Sequence, residues 1–184
     1  MSSFVEISTS TASNAGSVTL TGITSDYNTY ALFYSDVVPA TDDADLQCRF
    51  TQSDGSGGHT ANDNSNYVLG IAYMRSDRSF ISAQYENLGL AGRDTINLSG
   101  SADNSSTSGQ TGVLYIFSAA NSSDNTYLIA NTNYLSSGGT KVMLGQNLGA
   151  VLKEQTAVTG LQFYFVSPSS NISKGNFALY GLKE

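Results

Sequence analysis

The chain of 184 residues carries one histidine, His59, and one cysteine, Cys48. Hydrolysis by a Ser–His–Asp arrangement needs an imidazole base held against its nucleophile. His59 sits in the Gly-rich stretch SDGSGGHTANDNSN, a poor place to fix one. A cysteine nucleophile needs a basic partner. Cys48 instead lies between Leu46 and Phe50 on one face of an alternating run, which reads as a buried structural thiol. Zinc needs several Cys or His ligands, and no phosphate loop ending in Lys and Ser or Thr occurs. Glycan hydrolysis needs two placed carboxylates, one of raised pKa. With 15 acids some pair is inevitable, and nothing singles out Glu6 or Glu86, the ones near predicted strands. Asp36, Asp42, Asp43 and Asp45 cluster around Pro39 and could attract calcium, but the Gly and Glu of a calcium-binding loop are missing. A solvated turn is the expectation there. The sequence therefore predicts no enzyme, no cofactor and no metal.

The elements that would carry any site are strands. Val18 and Leu20 alternate with Thr19 and Thr21, Leu46, Cys48 and Phe50 with Gln47, Arg49 and Thr51, and Leu161, Phe163 and Phe165 with Gln162 and Tyr164. A period of two places each set on one face of a pleated strand. Residues 31–34, 113–117 and 177–182 are apolar on both faces, as in central strands or strands covered by a neighbouring subunit. Further strands are expected at 4–7, 67–74, 80–85, 95–98, 126–133 and 141–144. Only residues 148–155 could make a helix, of about two turns. The prediction is an all-β chain, a jelly-roll-like β-sandwich of about ten short antiparallel strands with little helix. It forms a single domain over 1–184, with long polar loops at 53–66 and 99–112, and loops of that length are usually functional or mobile.

Charged residues make up 12% of the chain, about half the usual share. Ser, Thr, Asn and Gly supply the polarity, and they suit turns and pleated surfaces. A net charge of −7 and scattered Lys and Arg exclude nucleic acid, whose binders need a basic stripe. No apolar run approaches the ~20 residues that span a bilayer, so no membrane is expected, and a secretory signal is not visible. The single cysteine leaves no intrachain disulfide.

Three stretches resemble a recurrent type of tailed-bacteriophage virion protein. In residues 22–55 the pattern is carried by Tyr27, Tyr30, Pro39, Asp42, Leu46 and Phe50, and in residues 159–183 by Gly175, Phe177, Leu179, Tyr180, Gly181 and Leu182. Tyr67 resembles the tyrosine that opens the next strand. The resemblance implies a β-sandwich on the outer surface of a virion, after synthesis in the host cytoplasm. The part of the particle is left open by it; the leading expectation is a non-enzymatic capsid decoration, or cement, protein that binds the major capsid protein or other virion proteins across shell subunits. Aromatic interface anchors would be Tyr27, Tyr30, Tyr34, Tyr115 and Tyr180. A homo-oligomer is expected, a trimer by symmetry. A tail or fibre module binding a host receptor or glycan is the alternative, and a carbohydrate-active enzyme the second.

Overall fold

The computed structural model describes residues 3–56, 58–62, 66–77, 93–166 and 168–183. Among them the chain forms strands and no helix. In order these are β1 (Ser3–Ala15), β2 (Val18–Thr21), β3 (Thr29–Pro39), β4 (Asp45–Ser53), β5 (His59–Ala61), β6 (Tyr67–Arg75), β7 (Ile96–Asn97), β8 (Gln110–Phe117), β9 (Thr126–Leu135), β10 (Met143–Leu152), β11 (Val158–Val166) and β12 (Ile172–Lys183). The strand expected at 80–85 lies outside the described residues.

Two antiparallel sheets make a β-sandwich of the jelly-roll-like kind. One has seven strands in the order β1-β12-β3-β8-β9-β10-β6. The other runs β2-β11-β4-β5, with β7 also paired to β4. The beginning of the chain thus pairs with its end: β1 lies on β12, and β2 and β4 flank β11.

Period-two patterning explains why the sheets face each other. Val18, Leu20, Leu46, Cys48, Phe50, Leu161, Phe163 and Phe165 point inward from the smaller sheet and are buried. They meet Tyr30, Leu32, Tyr34, Leu114, Ile116, Leu128, Leu148, Phe177 and Leu179 of the larger one. Aromatic rings join the layers. Phe163 lies 5.1 Å from Phe177 and 6.2 Å from Tyr34, centroid to centroid. At the other end Phe50 stacks on Tyr67 at 6.1 Å. The Tyr67 hydroxyl accepts the Phe50 amide at 2.9 Å and donates to the Asn62 carbonyl at 3.2 Å, so its polar tip is satisfied in the core.

The helix expected at 148–155 is a correction: residues 148–152 are the end of β10. Leu148, Ala150 and Leu152 are buried while Gly149 is exposed and Val151 half-buried, a period of two. Pairing with both β6 and β9 overrides the modest helical preference of so short a run.

The polar loops are also less loose than expected. Residues 53–66 contain β5, paired to β4. Residues 99–109 are fastened by the acidic cluster expected to be a solvated turn. Asp45 accepts the Ser101 amide at 2.6 Å, Asp42 accepts the Asn104 amide at 3.2 Å, and Asp43 accepts the Ser137 hydroxyl at 3.0 Å. Asp36 pairs with Lys174 at 2.7 Å. These carboxylates serve separate backbone and side-chain partners, and no group of acids, His and Cys suited to a metal occurs among the described residues.

Several buried side chains of the described residues carry an unpartnered polar atom, and Gln110 is the one with two. Gln110 is 1% exposed, and neither of its amide atoms has a hydrogen-bond partner among the described residues. A buried unpaired amide costs about 1–3 kcal/mol. Gln110→Met keeps the volume and removes the polar atoms, so it should be neutral or stabilising by up to that amount. Urea unfolding measures it; a clear loss of stability would mean that the amide is satisfied in solution.

Candidate interaction surface

His59, Asp54, Asp103 and Glu154 are each engaged in structure. His59 lies on β5, exposed, with Nδ1 2.8 Å from the Thr159 hydroxyl. The neighbouring Asp54 accepts the amides of Ser56 and Gly58, which hold its carboxyl below the usual range. Asp103 is nearly buried; burial raises its carboxyl, but the Lys141 ammonium at 2.6 Å, the Ser108 hydroxyl and the Ser105 amide outweigh that and lower it. Glu154 accepts the side-chain amides of Asn62 and Asn66, at 2.7 and 3.3 Å. Glu86 lies outside the described residues.

Cys48 is fully buried in the core, and burial pushes its thiol far above the ordinary value. Thiolate, the reactive form, is thereby suppressed. A thiol reagent should label Cys48 slowly in the native protein and fast in denaturant. Cys48→Ser should destabilise by about 1–3 kcal/mol, the cost of a poorly satisfied buried hydroxyl. Rapid native labelling would place Cys48 at the surface.

The five tyrosines expected as interface anchors separate into groups. Tyr30 and Tyr34 are a correction: both are buried between the sheets. Tyr34 packs on Phe163 and Phe177, and Tyr30 exchanges hydrogen bonds with the Thr24 backbone, so neither can meet a partner. Tyr27 is half-buried, edge-on to Tyr30 and lying over Gly181. It lines an open cleft of about 290 Å³ with Ser25, Asn28 and residues 118–121, which offers no acid, base or cation. Tyr115 and Tyr180 lie half-exposed on the outer face of the seven-stranded sheet.

That face is where the molecule departs from an ordinary surface. An antiparallel sheet usually buries one face and turns polar residues to water on the other. The five-stranded sheet does so: Thr19, Gln47, Arg49, Gln162 and Tyr164 face outward, with Arg49 donating to Gln162 at 3.0 Å and lying 4.9 Å from the Tyr164 ring centre. The seven-stranded sheet does not. The strand register lines up one outward row as Glu6, Tyr180, Ala31, Tyr115, Ile129, Gly149 and Gly70. On one side of it stand Phe4, Leu182, Thr29, Phe117, Tyr127, Val151 and Val68, and on the other Thr9, Ala178, Phe33, Val113, Asn131, Asn147 and Ala72. A fourth row is polar on most strands, with Thr11, Asn176, Ser35, Thr111 and Asn133, and ends on Met74.

All seven exposed large hydrophobic residues of the described chain lie on this face: Phe4, Phe33, Val68, Met74, Tyr127, Ile129 and Met143, each 40–52% accessible. Phe4, Phe33 and Tyr180 form a surface triad of edge-to-face rings with centroids 5.8–6.4 Å apart. Across the four rows Glu6 is the only carboxylate, and there is no Lys, Arg or His. Sequence reasoning saw residues 113–117 and 177–182 as apolar on both faces. It missed Tyr127, Ile129 and Phe4, whose signal was a large apolar residue among Ser, Thr and Asn at outward positions.

No protein-family model and no curated protein matches the chain. Among solved structures, the crystal structure of an endo-beta-1,4-glucuronan lyase from the fungus Trichoderma reesei is similar at 12% identity and a TM-score of 0.29, over 98% of this chain and 86% of that one. A likeness so slight carries no argument about activity. None of these comparisons points to a phage structural protein, and the expectation of a capsid decoration protein is withdrawn.

Proposed function

We propose that the protein is a non-enzymatic binding module whose working surface is the outer face of the seven-stranded sheet. The observation that carries this reading is the gathering of every large exposed apolar side chain of the described residues onto one face whose rows hold a single charged side chain, Glu6. A soluble monomer rarely shows an apolar patch beyond a few hundred Å² unless the patch is used. Six strand spacings by three row spacings give about 30 by 20 Å, roughly 600 Å² of projected area. The engaged state of His59, Cys48, Asp103 and Glu154 supports a surface without turnover.

Two measurements test the proposal together. Incubation with uronic-acid polysaccharides should produce no unsaturated product absorbing in the ultraviolet, whereas a lyase would make one. On a phenyl matrix the elution of Ile129→Lys should differ markedly from that of the wild-type protein, with an unchanged circular dichroism spectrum. Turnover of a polysaccharide, or identical elution of the two proteins, would refute the reading.

A further inference from the structure

We infer that the occupant of this face is a second copy of this chain, the two seven-stranded sheets packing against each other about a two-fold axis. The inference rests on the outer face being the working surface. Its first ground is charge. The chain carries a net charge of −7, so most contacts between two copies would set acid against acid. Like charges brought together at an interface are costly. The outer face holds one carboxylate, Glu6, at the β1 edge. It is a broad apolar surface on which two copies meet with little mutual repulsion, whereas the outer face of the five-stranded sheet is equally poor in acids but polar.

The second ground is area and shape. A standard specific interface buries about 800 Å² on each partner. The rows from Phe4 to Met74 reach that scale once the relief of standing side chains is added to the projected area. Sheets pack face to face about 10 Å apart, with their strands about 30° from alignment. Such packing suits large side chains set against small ones. The middle row offers both, with Tyr115 and Ile129 standing beside Gly149 and Gly70, above whose backbones there is open space. One continuous face meeting itself is isologous, which yields a pair in place of the trimer expected from sequence.

Sedimentation velocity across a concentration series tests this on the full chain. The wild type should be a dimer. Tyr127→Lys and Ile129→Lys change side chains that are half exposed and lie outside the buried core cluster, so their melting should be unaltered. Each should weaken the dimer at least 100-fold, while Thr19→Lys on the opposite sheet should not. A dimer that survives both face substitutions would overturn the inference and the reading of the face together. A wild-type monomer that binds an apolar dye, and loses it in Ile129→Lys, would overturn the second-copy occupant and leave the binding face standing for a different partner. A trimer would overturn the two-fold pairing.

Discussion

Removing residues 175–184 should leave a chain that does not fold. The deleted segment is nearly all of β12, which is not an edge: β1 is bonded to one side of it and β3 to the other. The deletion takes Phe177 and Leu179 out of the core and half-buried Tyr180 and Leu182 off the outer face. Each fully buried large side chain is worth about 1.5–3 kcal/mol. Most of the hydrogen bonds of β1 disappear with them. Against a total stability of about 5–15 kcal/mol the loss is comparable to the whole. Circular dichroism should lose its strand signal and melting its cooperativity. A truncated chain that still melts cooperatively would mean that β1 and β3 close the sheet directly.

Gly160→Ala should also be damaging, from one methyl group. Gly160 lies on β11 opposite Thr21 of β2, where the register on the other side shifts between Val158 and Gly160. A Cβ at Gly160 would overlap the Leu20 carbonyl oxygen and stand 2.9 Å from the Thr21 Cα. Both are backbone atoms, so no side chain can swing aside. The adjoining turn is fixed as well, since the Thr159 carbonyl accepts the amides of Gly22 and Ile23. Overpacking in a core usually costs about 1–3 kcal/mol, and a clash with backbone should fall at or above the top of that range. Gly149→Ala is the control: it has open space above it and should be neutral or slightly stabilising. Equal stability of the two variants in urea would show that β2 can move away from β11.

The sandwich was legible because alternation is a property of the strand itself. Leu46, Cys48 and Phe50, or Leu161, Phe163 and Phe165, announce one apolar face without reference to the rest of the chain. What alternation does not carry is a sign when both faces are apolar. In residues 30–34 the ring pair Tyr30 and Tyr34 shares one face with Leu32, and Ala31 shares the other with Phe33. Either set could face the core, and only the position of β3 between β12 and β8 decides it. That is why Tyr30 and Tyr34 were expected at an interface and lie inside, while Phe33 lies outside. Residues 148–152 failed for a related reason: a short run of Leu, Gly, Ala and Val fits either period until its neighbours are known. The outer face as a site was beyond local reading, since its rows draw on strands from both ends of the chain.

The pairing of Ser3 with Lys183 sets how the molecule responds to force. The two strands run antiparallel, so a load applied at these residues pulls at the first rung of the β1–β12 ladder and peels its bonds one after another. Handles at Ser3 and the exposed Ser173 would instead draw the two strands past each other and load the whole ladder at once. Bonds perpendicular to the strands resist sliding together and peeling singly. The sandwich should therefore open at low tension from its ends and hold much higher tension along β1. Cys48, buried out of reach, would leave cysteines introduced at those three positions as the reactive attachment points.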